Sequence, residues 1–286
     1  MATPRPHFAF ADKIIVITGA ASGIGRETVN QLLDSGATVV ASDKDSKGLE
    51  FLHADFLKKH GTSSLAALET HVIDVADVAS LRAFVDNAAK QHGRIDYMFS
   101  NAGITGRTGE VRDLNVEDWE HIVNINLMAV IHGASFAYAH MRKQGHGHLV
   151  NMASAAGLIG IPSAIPYSTT KAAVVAFSRD LRSEAATFGV NVTVLCPGFI
   201  ESRIFDNALL GTMDIQKSKD AIPVKFVPVK LAVRKMLKGV AARSWIVAFP
   251  GYVRVLWFLR RLAPGLYDRL LGPAAIRDGR KSRFDT

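Results

Sequence analysis

A tyrosine and a lysine that could exchange protons stand four residues apart in the segment "YSTTK" (167–171). Tyr167 and Lys171 share one face of any helix that contains them, since residues four apart are helical neighbours. A phenol has a pKa of about 10 and is a poor base at neutral pH, but a nearby cation favours the phenolate and lowers that pKa. The spacing therefore allows Tyr167 to act as a general acid or base, although an ordinary surface pair has the same spacing.

Two further polar residues could complete a proton-transfer site. Ser154 ends the predicted strand "GHLVNMAS" (147–154), and ligands of an open parallel sheet bind at the carboxyl ends of its strands. Its hydroxyl could therefore hydrogen-bond a substrate oxygen. Asn126 lies in the apolar stretch "NINLMAV" of a predicted helix, either as part of the site or as an amide that satisfies a neighbouring backbone.

The segment "TGAASGIG" (18–25) lies between a predicted strand and a predicted helix, as a phosphate-binding turn does. Gly19 permits a tight turn, whereas Gly23 and Gly25 permit close approach of a ligand and of the helix. The N–H groups at the start of the helix can then receive a pyrophosphate. We therefore expect a dinucleotide at this turn.

The next predicted strand ends at an acidic residue, Asp43. Its carboxylate could accept hydrogen bonds from both hydroxyls of an adenosine ribose and would repel a 2′-phosphate, which favours NAD over NADP. Lys44 follows at once and weakens the argument, because its charge could neutralise the additional phosphate of NADP. NAD is thus the expected cofactor, with NADP as the alternative.

Alternating strands and helices predict the fold that would bring these residues together. The segment "KIIVITG" (13–19) is a nearly continuous apolar run, typical of a strand buried on both faces of a parallel sheet. With its helix and "ATVVASD" (37–43) it makes a unit the size of a right-handed βαβ crossover. Further strands are predicted at 71–75, 95–103, 147–154, 190–198 and 244–250, and helices at 77–93, 115–145 and within 162–189. The expected fold is a single-domain α/β protein with a Rossmann-type, doubly wound parallel sheet.

Taken in order, these motifs resemble the short-chain dehydrogenase/reductase family of NAD(P)-dependent oxidoreductases, over residues 12 to 250. The resemblance rests on the glycine turn, Asp74–Val75, "NAG" (101–103), Asn126, Ser154, "YSTTK" and Pro197–Gly198. It implies hydride transfer between a nicotinamide cofactor and an alcohol or ketone. It also implies a role for each matching residue.

In the roles that the resemblance implies, Tyr167 exchanges a proton with the substrate oxygen, which Ser154 orients and polarises. Lys171 holds the nicotinamide ribose and lowers the pKa of the tyrosine. Asn126 holds a water that continues the proton relay toward solvent. These four are the expected catalytic residues. With Asp43, the expected cofactor-binding residues are Gly19, Ser22, Gly23, Ile24, Gly25, Asp74, Val75, Asn101, Ala102, Gly103, Tyr167, Lys171, Pro197, Gly198, Ile200 and Ser202.

The segment after Pro197–Gly198, about residues 199–224, is expected to form the mobile substrate lid of the family. Ser202 stands where the family commonly has a threonine that touches the nicotinamide amide, so the hydroxyl is kept and the methyl group is lost. An apolar lid favours a bulky, lipophilic substrate, unless its side chains only pack the lid on the body. "GITGRTGEV" (103–111) should form another wall of the pocket. The apolar lid residues are Phe199, Ile200, Ile204, Phe205, Leu209, Leu210 and Met213.

Beyond the catalytic domain, expected at 1–250, residues 251–286 form a basic extension that is unusual for the family. Within 251–272 a helical wheel predicts an amphipathic helix that is interrupted at Pro264. Such a helix could lie on an anionic membrane surface, pack on a partner subunit, cover its own domain or roof the pocket. Its apolar side holds Tyr252, Val255, Leu256, Leu259 and Leu262, and its basic side holds Arg254 and Arg261.

The composition narrows the classes of function. The formal charge is +8, but residues 225–286 hold 14 of the 34 Lys and Arg and only 3 of the 26 Asp and Glu. No element that reads nucleic acid accompanies this basic end, so no nucleic-acid partner is expected. The ten histidines form no ligand cluster in the sequence, which predicts no metal site. The single cysteine, Cys196, and the lack of a secretory signal or a long apolar run favour a cytoplasmic protein, at most peripheral to a membrane.

The sequence thus predicts an NAD-dependent oxidoreductase that interconverts a bulky, lipophilic secondary alcohol and its ketone. The alternatives are an NADPH-dependent carbonyl reductase, if Lys44 outweighs Asp43, and a non-catalytic nucleotide-binding scaffold on the same fold. The complete set of Ser154, Tyr167 and Lys171 argues against the scaffold, which need not retain proton-transfer groups. Relatives dimerise through the two long helices, 115–145 and 162–189, so a homodimer or homotetramer is expected.

Overall fold

Seven parallel strands form one sheet in the computed structural model, which describes residues 9–61, 67–201 and 224–269. The strands are β1 (Ile14–Thr18), β2 (Thr38–Asp43), β3 (Ala67–Val72), β4 (Tyr97–Ser100), β5 (Gly147–Met152), β6 (Val190–Pro197) and β7 (Ile246–Phe249). Their spatial order is β3-β2-β1-β4-β5-β6-β7. The order runs one way from β1 to β3 and the other way from β4 onward, which confirms the predicted doubly wound, Rossmann-type sheet.

Helices pack on both faces of the sheet. They are α1 (Gly23–Asp34), α2 (Ser46–His60), α3 (Val78–His92), α4 (Val116–Val123), α5 (Ala129–Gln144), α6 (Ala156–Ile159), α7 (Ile165–Ala185), α8 (Val229–Ala241) and α9 (Gly251–Leu262). On β1, Ile15 and Ile17 belong to the core that α1, α2 and α8 cover. Val16, between them, belongs to the core under α3 and α5. The first strand is therefore buried on both faces, as its apolar run predicts.

Two elements near the edge of the sheet differ from the sequence prediction. The third strand is predicted at 71–75, but β3 ends at Val72, so Asp74 and Val75 lie in the loop after it. β3 pairs only with β2 and buries only Leu68, and such an edge strand lacks the continuous apolar run of the inner strands. Helix α2, which the sequence analysis does not predict, begins where the Asp45 side chain accepts a hydrogen bond from the N–H of Gly48.

The predicted long helix at 115–145 is continuous from Val116 to Gln144, but a π-helical turn, Asn124–Met128, joins α4 to α5. Such turns are frequent at functional sites, and this one contains Asn126, which is fully buried. Among the described residues, this is the one helix that is long and apolar enough to cross a membrane. Its apolar window is 56% buried inside the protein, which is also what the core helix of a globular domain shows.

The buried face of the C-terminal helix only partly matches the apolar side predicted from the sequence. Val253 of α9 is fully buried and Tyr252 is partly buried, whereas Val255, Leu259 and Leu262 are exposed. Helix α9 ends before Ala263, and residues 264–269 form a further helical turn. The predicted lid falls almost entirely outside the described residues, and so do Ser202 and most of the apolar lid side chains.

Candidate active site

A cleft of about 460 Å³ opens at the carboxyl end of the sheet, where the strand order reverses between β1 and β4. Residues that follow β1, β2, β3, β4, β5 and β6 line it. All the site residues predicted from the sequence line this cleft, except Asn126 and the undescribed Ser202. The fold therefore brings together side chains that are up to about 180 residues apart in the chain.

Tyr167, Ser154 and Lys171 meet at one wall of the cleft. Tyr167 and Lys171 stand in the first turns of α7, and Ser154 follows β5. The Ser154 hydroxyl oxygen accepts a hydrogen bond of 3.1 Å from the N–H of Ala156, so its own proton is free to be donated to an acceptor in the cleft. As a donor toward the phenol, Ser154 favours the phenolate and lowers the pKa of Tyr167. The Lys171 Nζ lies 5.8 Å from the centre of the Tyr167 ring and donates a hydrogen bond of 2.9 Å to the carbonyl of Met152.

The pKa of Tyr167 shifts in the opposite direction to the one expected from the sequence, where Lys171 is expected to lower it. Burial raises the pKa of the Tyr167 phenol above its ordinary value, and the hydrogen bond from Ser154 opposes that rise. Burial also lowers the pKa of Lys171 to about 8, since its side chain is almost entirely removed from solvent. Within the protein alone, burial therefore outweighs the stabilisation of the phenolate by Ser154. The group that lowers the pKa of Tyr167 is Ser154.

Asn126 lies behind the cleft wall rather than on it. Its Oδ1 accepts a hydrogen bond from the N–H of Ile104, and its Nδ2 donates one to the carbonyl of Ile104, both at 2.8 Å. Of the two alternatives that the sequence leaves open, an amide that satisfies a neighbouring backbone is confirmed. The amide retains one hydrogen and one lone-pair position for a further partner.

The glycine turn has the shape of a cradle for a diphosphate. A Cβ added to Gly25 would lie 1.9 Å from the carbonyl oxygen of Gly19, and Gly19 and Gly23 have φ angles of +70° and +52°. Both features exclude ordinary side chains and let the backbone approach a ligand. The first N–H groups of a helix have no partner within it, and the Ser22 side chain does not cap those of α1. Gly19, Ser22, Gly23, Ile24 and Gly25 therefore fit the pyrophosphate of a dinucleotide.

A hydrogen-bonded brace holds this turn against β4. The Nδ2 of Asn101 donates to the carbonyls of Thr18 and Gly19, each at 3.0 Å. The Thr18 hydroxyl oxygen accepts from the N–H groups of Asn101 and Ala102, each at 3.2 Å. Asn101 is thus a positioning residue as well as part of the cleft wall. The sequence analysis misses Thr18, because its partners are more than 80 residues away in the chain.

Asp43 and Lys44 line the cleft together, where β2 ends. The two carboxylate oxygens of Asp43 accept hydrogen bonds from the N–H groups of Ala21 and Asp45, at 2.9 and 3.0 Å. Each oxygen can accept one more, so the carboxylate is held in place and can still bind ribose hydroxyls. Asp74 and Val75, in the loop after β3, line the same end of the cleft.

The opposite end of the cleft, beyond Tyr167, is apolar. Ile104 and Thr108 line it, which confirms that the segment 103–111 forms a wall. The sequence places Phe199 in the lid and has a roof over the pocket among the alternatives for the helix of Tyr252, but it assigns no role to Ile159 or Ile161. Contacts between distant parts of the chain complete this lining. Tyr252 is the clearest case, because its hydroxyl accepts a hydrogen bond of 3.4 Å from the N–H of Phe199. The additional apolar or aromatic lining residues are Ile159, Ile161, Phe199 and Tyr252.

Two further features considered in the sequence, the thiol of Cys196 and a possible metal site, do not contribute to the proton-transfer site. Cys196 is buried in the core beneath the cleft, and burial raises the pKa of its thiol. Within residues 9–61, 67–201 and 224–269, no three His, Cys, Asp or Glu side chains are grouped so that they could hold a metal ion.

Comparison with known proteins identifies the family. Residues 13–210 match the family model described as short chain dehydrogenase. Levodione reductase from Leifsonia aquatica is 35% identical over 208 residues, which are 73% of this chain and 77% of that protein. A short-chain dehydrogenase/reductase from Burkholderia phymatum in complex with NAD superimposes with a TM-score of 0.79 and 26% identity, over 91% of this chain and 96% of that chain.

A second solved structure carries the other nicotinamide cofactor. It is a short-chain dehydrogenase from Sphingobium yanoikuyae in complex with NADPH, with a TM-score of 0.75 and 25% identity, over 90% of this chain and 96% of that chain. The cleft at the switch point of the sheet, the family match and these relatives agree with the resemblance found in the sequence. The chain belongs to the short-chain dehydrogenase/reductase family of NAD(P)-dependent oxidoreductases, and it is an enzyme that acts on alcohol or ketone substrates.

Proposed function

We propose that this enzyme uses NAD(H) to interconvert a bulky, lipophilic secondary alcohol and its ketone, with Tyr167 as the general acid and base. The observation that carries the proposal is that Ser154, Tyr167 and Lys171 line the same cleft as the glycine turn. One continuous cleft can then hold the dinucleotide at one end and an apolar substrate at the other. Ile159, Ile161, Phe199 and Tyr252 are the side chains that favour a lipophilic substrate.

In the oxidative direction, the Tyr167 oxygen removes the proton from the substrate hydroxyl. Ser154 donates a hydrogen bond that stabilises the phenolate before this transfer, and it orients the substrate oxygen. A nicotinamide held beside Tyr167 and Lys171 would supply the hydride acceptor for the carbinol carbon, so that the alcohol would lose one proton and one hydride to become the ketone. In the reductive direction, Tyr167 returns the proton to the oxygen of the ketone.

Lys171 contributes through position and charge. One of its three N–H bonds is used by the Met152 carbonyl, and the remaining two are available for a ribose hydroxyl or a water. With a pKa of about 8, the ammonium is protonated at neutral pH. Asn126 is then in place to hold a water behind Lys171, through the hydrogen-bonding positions that Ile104 leaves free.

The preference for NAD follows from Asp43, whose carboxylate would bind the ribose hydroxyls and repel a 2′-phosphate. NADPH-dependent carbonyl reduction is the second candidate, since Lys44 lines the cleft beside Asp43. The relatives of known structure include one with NAD and one with NADPH, so the family alone does not decide between the two nucleotides. The enzyme is further proposed to form a homodimer or homotetramer through α4, α5 and α7, which sedimentation at several concentrations would test.

The experiment follows nicotinamide absorbance with NAD(H) and NADP(H) over a panel of lipophilic secondary alcohols and ketones. We expect turnover with NAD(H) to exceed that with NADP(H), and the Lys44→Ala variant to widen the difference.

Tyr167→Phe should lower kcat by about 10²- to 10⁴-fold while nucleotide binding persists. Tyr138→Phe is the matched control, because Tyr138 lies on α5 and does not line the cleft. Turnover that is as fast with NADPH would support the second candidate, and full activity of Tyr167→Phe would refute the mechanism.

A further inference from the structure

An exposed apolar stripe runs along the C-terminal helix. The Val255, Phe258, Leu259 and Leu262 side chains are spaced three and four residues apart and therefore lie on one face of α9. Leu266 is exposed in the helical turn that follows. A single exposed apolar side chain is ordinary, whereas several on one helix face indicate an interaction surface. The exposed fractions are 57% for Val255, 62% for Phe258, 45% for Leu259, 69% for Leu262 and 58% for Leu266.

The opposite face of α9 holds the helix on its own domain. Val253 is fully buried, and the Trp257 ring lies 6.1 Å from that of Trp245. The Arg260 guanidinium donates a hydrogen bond of 3.3 Å to the carbonyl of Leu158, in α6. The helix is therefore already packed through one face, and the apolar stripe is not the surface that attaches it.

Positive charge accompanies the apolar stripe. Residues 251–269 contain four arginines, at 254, 260, 261 and 269, and one acidic residue, Asp268. Arg254, Arg261 and Arg269 are exposed, and Arg260 is partly buried. The undescribed residues 270–286 add four basic and two acidic side chains to the same end of the chain. An apolar face with basic neighbours is complementary to a surface that has anionic groups above an apolar interior.

We propose that α9 docks the enzyme on an anionic lipid membrane, with the apolar stripe inserted at the boundary between headgroups and acyl chains. A second copy of the chain fits this surface less well. An isologous interface would bring each stripe, together with its arginines, against the same stripe of the partner, and like charges would face each other. Anionic headgroups instead neutralise these arginines while the acyl chains cover the apolar side chains.

The docked helix adjoins the apolar end of the cleft. Tyr252, at the start of α9, lines the cleft, and Arg260 binds α6, whose last residue, Ile159, also lines it. A membrane under α9 would thus lie beside the end of the cleft where a lipophilic substrate is proposed to bind. Entry of a lipophilic substrate from the membrane into the cleft rests on the proposed function, whereas the docking of α9 does not. The test of docking therefore measures vesicle binding and not turnover.

The test is co-sedimentation of the full chain with vesicles of phosphatidylcholine alone or mixed with phosphatidylserine. We expect binding to the mixed vesicles that weakens as salt is raised. The double variant Phe258→Gln/Leu262→Gln should bind at least about tenfold less, because it removes apolar area from the stripe. Phe51→Gln/Val72→Gln is the matched control, since these side chains are each 61% exposed elsewhere on the surface and lie outside α4, α5 and α7, and it should bind like the parent protein.

A second variant, Arg261→Gln/Arg269→Gln, tests the charge separately and keeps the proposal testable if the stripe variant folds poorly. It should lose the preference for phosphatidylserine and the salt dependence. The proposal is overturned if the parent protein stays in the supernatant with both kinds of vesicle. It is also overturned if the stripe variant changes the subunit number in sedimentation and leaves vesicle binding intact, because the stripe would then be a subunit interface.

Discussion

The side-chain amide of Asn126 and the main chain of Ile104 form a closed pair of hydrogen bonds, each 2.8 Å long. This pair ties the π-helical turn to the wall of the cleft. Gly103, the residue before Ile104, lies close to both side chains, since an added Cβ would lie 3.1 Å from the Asn126 Oδ1 and 3.3 Å from the Lys171 Nζ, which is tighter than an ordinary van der Waals contact. Asn126 therefore positions the segment of the cleft wall that lies beside Lys171.

The Asn126→Asp variant should be destabilised although its shape is nearly unchanged. A carboxylate can accept from the N–H of Ile104 but cannot donate to its carbonyl, and it brings a charge into a fully buried position. We expect a loss of about 1–3 kcal/mol in the free energy of unfolding, measured with urea. Asn124→Asp is the matched control, because Asn124 is exposed in the same turn. Equal stability of the two variants would contradict the positioning role.

Removal of the Ser154 hydroxyl should move the pH dependence of alcohol oxidation. The hydrogen bond from Ser154 lowers the pKa of Tyr167, so in Ser154→Ala that pKa rises. Since oxidation needs the phenolate, the rising limb of kcat/KM should shift to higher pH, and the rate at neutral pH should fall by about 10²-fold or more. Ser168→Ala is the control, because the Ser168 hydroxyl binds the N–H of Ile161 instead. A lower rate with an unmoved pH profile would mean that Ser154 only orients the substrate.

The Gly25→Ala variant should lose nucleotide binding before it loses the fold. Its Cβ would lie 1.9 Å from the backbone oxygen of Gly19 and 2.7 Å from the Asn101 Nδ2, so the turn and its brace must shift. We expect the dissociation constant for NAD or NADP to rise by at least about tenfold, measured by calorimetry. Gly251→Ala provides the comparison, because no atom lies within 4 Å of the added Cβ there. Normal binding by Gly25→Ala would show that the cradle is not the diphosphate site.

The sequence predicts the inner part of the sheet and the cleft well, because both depend on local patterns. The apolar run at 13–19 and the glycine turn lie within one βαβ unit, where chain spacing restricts geometry. The predicted position of β3 is wrong because that strand is at the edge of the sheet and only Leu68 of it is buried. Helix α2 buries Leu49, Leu52 and Phe56, whose three- and four-residue spacing is a helical signal present in the sequence.

The parts of the site that the sequence does not predict depend on contacts between distant residues. Tyr252 reaches Phe199 across 53 positions, and Thr18 reaches Asn101 across 83. The direction of the Tyr167 pKa also depends on burial, which no spacing rule reports. A lysine at helical spacing predicts attraction to a phenolate, but the cost of removing both groups from water appears only once the fold is known.

Acid should destabilise this protein through a histidine buried in the sheet. His148 is 4% exposed on β5, and its Nε2 lies 2.8 Å from the Thr193 hydroxyl oxygen. Because Thr193 donates its own proton to the carbonyl of Ser244, His148 must be the donor of this hydrogen bond, with Nε2 protonated. Burial, with the nearby Arg243 and Arg182 charges, lowers the pKa of His148 from 6.5 to about 3.

The sign of the effect follows from this depressed pKa. Between pH 6.5 and about 3 the unfolded chain binds a proton at His148 that the folded protein does not, so the free energy of unfolding falls as the pH falls. The slope is about 1.4 kcal/mol per pH unit for one proton, and above pH 6.5 this contribution is constant because both states are neutral. His148→Gln, whose amide can still donate to Thr193, should have a shallower slope in urea unfolding at a series of pH values, whereas the exposed His53→Gln should match the parent. An unchanged slope in His148→Gln would assign the acid sensitivity to other groups.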